Sequence, residues 1–161
     1  VAFPCSTYSA ARFFKSDPPG PPPVRDKTHP DGLPSDQLDP KHAAELNRSN
    51  DLLDRAVQIT IAARNSIKCT TIFWENPADK SIVGTLPYAR DTKEHGSLWA
   101  TSAFKQMEST IPDSSKSTFA YCRFGSDYQK YTTIWFTNEA SPVMQQLDTL
   151  AYIQVQSLRT P

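Results

Sequence analysis

Charge of either sign is what this sequence lacks in surplus. Lys and Arg total 17, Asp and Glu total 17, and the formal net charge is zero. No global positive field draws in a phosphate backbone, so any nucleic-acid contact has to come from a local basic face. Long apolar runs are also missing. No stretch reaches membrane-spanning length, and none reads as a cleaved signal. Cysteine is scarce. Cys5, Cys69 and Cys122 are odd in number and far apart, which argues against a disulfide framework and makes a reducing, intracellular compartment the expectation. There is no CxxC pair, and His29, His42 and His95 are scattered, so no zinc-ligand spacing stands out. No internal repeat is present.

What is present is proline, 14 residues of it, and enough chain for one core. The length of 161 residues suits a single domain over 1–161, although hydrophobic content is only 38%. Proline concentrates after the opening segment. Residues 15–38 carry Pro18, Pro19, Pro21, Pro22, Pro23, Pro30 and Pro34 with no period of 2 or 3.6. They are expected to form an irregular surface loop of polyproline character, read either as a linker-like insert or as a functional loop.

The pattern then changes. Residues 39–67 are expected to form a long helix, with Asp39 as the cap and Pro40 at the first helical position. Leu46, Leu53, Val57 and Thr60 or Ile61 would make its buried stripe, leaving Glu45, Arg48, Asp54 and Arg55 off it. The remaining strands and helices fall in 68–161. "KCTTIFWEN" is β-branched and aromatic, hence a buried strand. "SLWATSAFKQMEST" is expected as a helix capped by Ser97, with Leu98, Phe104 and Met107 on its apolar face. "KSTFAYCRFG" and "YTTIWFTN" read as two further strands, and "SPVMQQLDTLAYIQVQS" as a closing helix. "VAF" would be the tail of another strand. The alternation predicts an α/β fold with a largely parallel sheet.

In open α/β sheets, ligand-handling residues sit beyond the carboxyl ends of the strands. Three such places carry unusual chemistry: "FPCS", "WENP" and "RFGSDYQK". A thiol, a carboxylate with an amide, and a polar loop would meet along one edge. That arrangement suits covalent catalysis, a nucleophile with an acid beside it. Taken singly, Cys5 also reads as an incidental thiol, and Glu75 as a helix cap or the partner of a lysine. Cys69, Cys122, Trp74, Trp99 and Trp135 are expected in the core. Arg12 and Lys15 are expected on a solvated helix face, and His95 in an exposed turn.

The three stretches together resemble the DNA cytosine-5 methyltransferases. "AFPCSTYS" is similar to their Gly-Phe-Pro-Cys-Gln-x-Phe-Ser motif. "FWENP" is similar to their Glu-Asn-Val motif in its phage- and transposon-type Glu-Asn-Pro form. "RFGSDYQKYTTIWFTN" is similar to the Tyr-Gly-x-x-Gln-x-Arg-x-Arg segment and its Lys-x-Thr-x-x-Trp variant. The resemblance implies a partial Rossmann-like methyltransferase sheet with a long Pro-rich loop. It implies DNA as partner, with the target cytosine flipped out of the stack. The Cys5 thiolate would add to ring carbon 6, and Glu75 would hold the N3 edge. Asn76 and Pro77 would shape the pocket, joined on the substrate side by Pro4, Ser6, Gln129 and Lys130. S-adenosylmethionine would supply the methyl group.

The departures carry weight. The family's glycine-rich donor motif precedes its Pro-Cys motif, and none of the five glycines here forms Gly-x-Gly. The donor would therefore be bound by missing or separate sequence, with none bound by the isolated chain. The family's two base-contacting arginines fall at Tyr131 and Thr133, and its Gln after the cysteine is Ser6. The rival reading is a catalytically inactive structural or binding subunit, with protein partners in a larger assembly. In an enzyme the Pro-rich loop would contact phosphate through Lys15, Arg25 and Lys27. In a structural subunit it would pack on a neighbouring chain, and the zero net charge favours that second outcome.

Overall fold

A computed structural model describes residues 4–13, 19–66, 71–81, 94–121, 125 and 130–146. The long helix α1 spans Pro40–Ser66. Asp39 caps it: its Oδ1 accepts the His42 N–H at 3.0 Å, and its carbonyl accepts that of Ala43. The buried stripe is Leu46, Ser49, Leu53, Val57 and Thr60, at helical spacing.

Strand β1 is Phe73–Pro77. Helix α2 is Ser102–Thr110, preceded by a 3-10 turn over Leu98–Ala100. The single helix predicted from Ser97 onward is thus two pieces. Ser97 caps the 3-10 turn by accepting from Trp99 N–H. Thr101 accepts from Phe104 N–H and starts α2 afresh, while its own hydroxyl donates to the Leu98 carbonyl at 2.7 Å. Two hydroxyl caps four residues apart cannot both serve one continuous helix, because each takes a non-helical backbone.

Strands β2 (Ser114–Ala120) and β3 (Tyr131–Thr137) complete a three-stranded sheet ordered β1-β3-β2. Both pairings are antiparallel, so the largely parallel sheet predicted from the alternation is not what the described residues form. Chain length explains this. Residues 121–130 are too few for the crossover that a parallel β2–β3 pair needs. β1 and β2, joined through α2, do run parallel to one another, with β3 inserted between them. The fold is mixed helix and strand around a small antiparallel sheet.

Register decides which residues share a face. Trp74 lies opposite Trp135 and Asn76 opposite Thr133, on the face that α1 and α2 cover. Phe73, Glu75 and Pro77 lie on the other face with Phe136, Ile134 and Thr132. On the covered face Phe104 is the hub. Trp99, Trp74 and Trp135 meet its ring edge-on at 4.9, 5.9 and 6.1 Å. All three tryptophans are core, as predicted. The other face carries a smaller cluster of Phe136, Ala140 and Met144, the last from the helical residues 141–146. The predicted "VAF" strand tail, Cys69 and Cys122 lie outside the described residues, as does the closing helix beyond 146.

Candidate functional site

The Cys5 segment is a tight turn. Tyr8 N–H donates to the Cys5 carbonyl at 3.0 Å. The thiol is free and half-buried, and Pro4 and Ser6 beside it are exposed. Three of the anchors that hold this turn to the body are hydrogen bonds. The Thr7 and Ser49 hydroxyls hydrogen-bond at 2.7 Å, fixing it to α1. Arg12 Nε donates to the Ser6 carbonyl at 2.6 Å. The third anchor is His95.

His95 is 1% exposed and not the surface turn residue predicted for it. Its Nε2 lies 2.7 Å from the Tyr8 carbonyl, and its Nδ1 accepts the Lys80 backbone N–H at 3.3 Å. A carbonyl only accepts and an amide N–H only donates, so these partners assign the neutral tautomer with the proton on Nε2. Burial pushes the ring pKa below its ordinary value, against a smaller opposing pull from the Tyr8 carbonyl. Phe13 presents its ring perpendicular to the imidazole at 5.9 Å. One imidazole therefore joins the cysteine turn to the segment leaving β1. Sequence reasoning missed His95 because the burial of an isolated polar residue is set by tertiary contacts. The adjoining Gly96 was the available signal. A Cβ there would stand 2.7 Å from Arg25 Cβ and 2.8 Å from the Asp26 backbone, so only glycine allows this approach.

At β1, Glu75 and Asn76 are successive strand residues and project to opposite faces. Glu75 is about one-third exposed (32%), yet its Oε1 is buried, 3.6 Å from Lys130 Nζ, with no hydrogen-bond donor among the described residues. The lysine-partner reading of Glu75 and the substrate-side placing of Lys130 thus concern the same pair. Lys130 also lies 5.4 Å over the Tyr121 ring. Asn76 is 1% exposed. The Pro77 carbonyl accepts Trp99 Nε1–H at 2.8 Å, which fixes the strand exit. Lys80, just beyond, has its pKa lowered by burial. Gln129 lies outside the described residues.

The Pro-rich loop folds onto its own chain. Val24 and Arg25 are 0% and 1% exposed. Arg25 donates to the Pro30 carbonyl (2.8 Å) and to Asn50 Oδ1 on α1 (2.7 Å), with its guanidinium 4.1 Å over the Tyr8 ring. Asp31 Oδ1 accepts Ser102 N–H at the start of α2, and Lys27 N–H donates to the Glu94 carbonyl. Arg25 is therefore an internal anchor and not the phosphate contact that the enzyme reading of the loop expected. Its guanidinium fills a site where burial alone would favour an apolar residue, and burial lowers its pKa. Arg12 is likewise not solvated. Its side chain is 6% exposed, donates to the Pro22 carbonyl at 2.8 Å and pairs with Glu45. Lys15 lies outside the described residues.

Among the described residues Gly20, Gly32, Gly96 and Gly125 stand singly, and none immediately precedes α1 or α2, where the charged and ribose parts of S-adenosylmethionine would use open backbone N–H groups. Gly32, at φ +135°, serves a loop turn packed against Leu46. Among the described residues no group of three or more His, Cys, Asp and Glu side chains could hold a metal ion, and no helix is long and apolar enough to cross a membrane. Compared with known protein families, curated proteins and solved structures, the chain matches none.

Proposed function

We infer that this chain carries the nucleobase side of a DNA cytosine-5 methyltransferase-type site, within a Rossmann-like fold completed by other sequence. The supporting observation is the His95 bridge, which ties the Cys5 turn to Lys80, three residues beyond the Glu75 strand; Glu75 itself projects from the sheet face opposite the one on which Tyr8 of that turn packs. Cys5 is free and reachable, as a nucleophile must be. Glu75 keeps a buried acceptor oxygen that faces Lys130 at 3.6 Å but has no hydrogen-bond donor among the described residues, which suits the donor edge of a pyrimidine. The Cys5 thiolate adds to cytosine carbon 6, and the ring's π pair becomes available at carbon 5. Carbon 5 takes a solvent proton, then loses its original one. The sulfur–carbon bond breaks, restoring cytosine and thiolate. Methyl transfer would need donor-binding sequence that these residues do not provide.

A donor-free assay follows. Cytosine-containing DNA incubated with the chain in heavy water should acquire deuterium at carbon 5, read by mass spectrometry of the nucleosides. Cys5→Ala should abolish exchange, and Glu75→Gln should slow it about 10²-fold, the usual contribution of one acid–base group. Exchange no faster with the intact chain than with Cys5→Ala would overturn the enzyme reading. A second reading, a non-catalytic binding or structural module, is favoured by one observation. Arg12 and Arg25, two cations of the N-terminal third, are spent on internal contacts. Absence of exchange would leave that reading standing.

A further inference from the structure

The buried imidazole is a titratable group that touches both halves of the candidate site. Its Nε2–H holds the Tyr8 carbonyl, and Tyr8 N–H in turn closes the Cys5 turn. Its Nδ1 holds Lys80 N–H, three residues beyond Pro77. Both of these links use the neutral ring. We propose that His95 is a positioning residue: in its Nε2–H form it latches the cysteine turn to the β1 exit, and protonation at Nδ1 opens that latch. The assignment of a role to Cys5 rests on the proposed function, but the latch is a property of the fold and is read separately.

The mechanism is local. A protonated Nδ1–H would face the Lys80 N–H, donor against donor, in a place with little water to take up the conflict. The Tyr8 contact would persist, so the turn would stay with His95 while the strand exit parted from it. The groups facing the ring come from each packed element. Asp79 and Lys80 lie beyond β1, with opposed effects on the ring's charge. Tyr8 comes from the cysteine turn, with Arg25 of the Pro-rich loop stacked on it. Asp26 of the same loop pairs with the His95 backbone. Burial disfavours the cation, so the folded ring protonates at lower pH than in the unfolded chain. The latch is therefore fully closed above the ordinary histidine range, about pH 6.5, and is lost as pH falls through the folded value.

The test uses the full chain and 4,4′-dithiodipyridine, whose exchange with a thiol can be followed in acid. Peptide mapping separates Cys5 from Cys69 and Cys122. The Cys5 rate is divided by that of the unfolded chain at the same pH, which removes the thiol's own ionisation. The ratio should be flat at neutral pH and rise about fivefold in acid, the change in opening that one net hydrogen bond gives. His95→Asn keeps an acceptor near the Nδ1 position but loses the donor to the Tyr8 carbonyl and cannot titrate, so its ratio should be high and independent of pH. His95→Gln keeps the Tyr8 donor alone, so its ratio should be high at every pH. Circular dichroism checks that each variant is folded. If neither variant folds, the pH profile of the unaltered chain decides. A ratio independent of pH in the unaltered chain, or an acid rise retained in folded His95→Asn, would overturn the proposal. Neither outcome depends on carbon-5 exchange, so failure of the latch and failure of the enzyme reading are distinguishable.

Discussion

Arg25→Met decides between two roles for the most deeply buried cation of the Pro-rich loop. The substitution keeps much of the side-chain volume and removes the charge. Two hydrogen bonds vanish, to the Pro30 carbonyl and Asn50 Oδ1. At about 1.5 kcal/mol for each bond made by a charged donor, that is about 3 kcal/mol. Loss of the desolvated cation–π contact with Tyr8 adds about 2 kcal/mol. Against this, the variant no longer dehydrates a guanidinium. That returns part of the loss, about 2 kcal/mol for a guanidinium whose Nε is buried without a hydrogen-bond partner among the described residues. The net expectation is a loss of about 3 kcal/mol. For a chain of this size, each kcal/mol lowers Tm by about 2–4 °C, so calorimetry should find a fall of about 6–12 °C. A phosphate-contacting arginine behaves differently. Its removal leaves Tm nearly unchanged, weakens DNA binding across sequences, and reduces the log–log salt slope by about 0.9. A fall below about 2 °C, well under the calculated range, together with a reduced salt slope, would refute the internal-anchor reasoning.

Two further variants test the local structure. Thr101→Ala removes the hydroxyl that accepts from Phe104 N–H and donates to the Leu98 carbonyl, and should cost about 1–2 kcal/mol in urea unfolding. A cost no larger than that of Ser109→Ala, an exposed hydroxyl late in α2, would argue against the two-piece reading of this segment. Gly96→Ala forces a methyl against the backbone of Asp26 and Cβ of Arg25, neither of which can swing aside as a side-chain tip can. It should cost about 2 kcal/mol by overpacking, measured as a lowered denaturant midpoint. An unchanged midpoint would mean that the approach of the loop to residues 94–96 is looser than described.

Local features were the legible ones. Asp39, Pro40 and the spacing of Leu46, Leu53 and Val57 define α1 because capping and periodicity act within a few residues. The aromatic and β-branched runs at 73–77 and 131–137 define β1 and β3 for the same reason. Strand direction was legible in part. The few residues between β2 and β3 already exclude a parallel pairing, whereas placing β3 between β1 and β2 is a long-range choice with no local signal. Arg12, expected on a solvated face, and Arg25, given a phosphate contact only in the enzyme reading, were read on a sound prior, since lone arginines are seldom fully buried. What overrode that prior is a set of acceptors from distant positions: the Pro30 carbonyl, Asn50 and the Tyr8 ring for Arg25, and the Ser6 and Pro22 carbonyls with Glu45 for Arg12.

The same contacts give the Pro-rich loop its physical meaning. Prolines restrict the unfolded chain, so less conformational freedom is lost when residues 19–38 settle on α1. The loop's carbonyls at Pro22 and Pro30 then accept from Arg12 and Arg25. Proline's carbonyl is undiminished by its missing N–H, so such a segment can accept hydrogen bonds without offering donors that would need burial partners. The loop in turn presses Arg25 on the Tyr8 ring and Asp26 on His95. Tyr8 closes the Cys5 turn and His95 reaches the β1 exit. The insert thus braces the candidate site from behind, and a mutation in it would reach Cys5 through Tyr8 and His95 without any contact to a substrate.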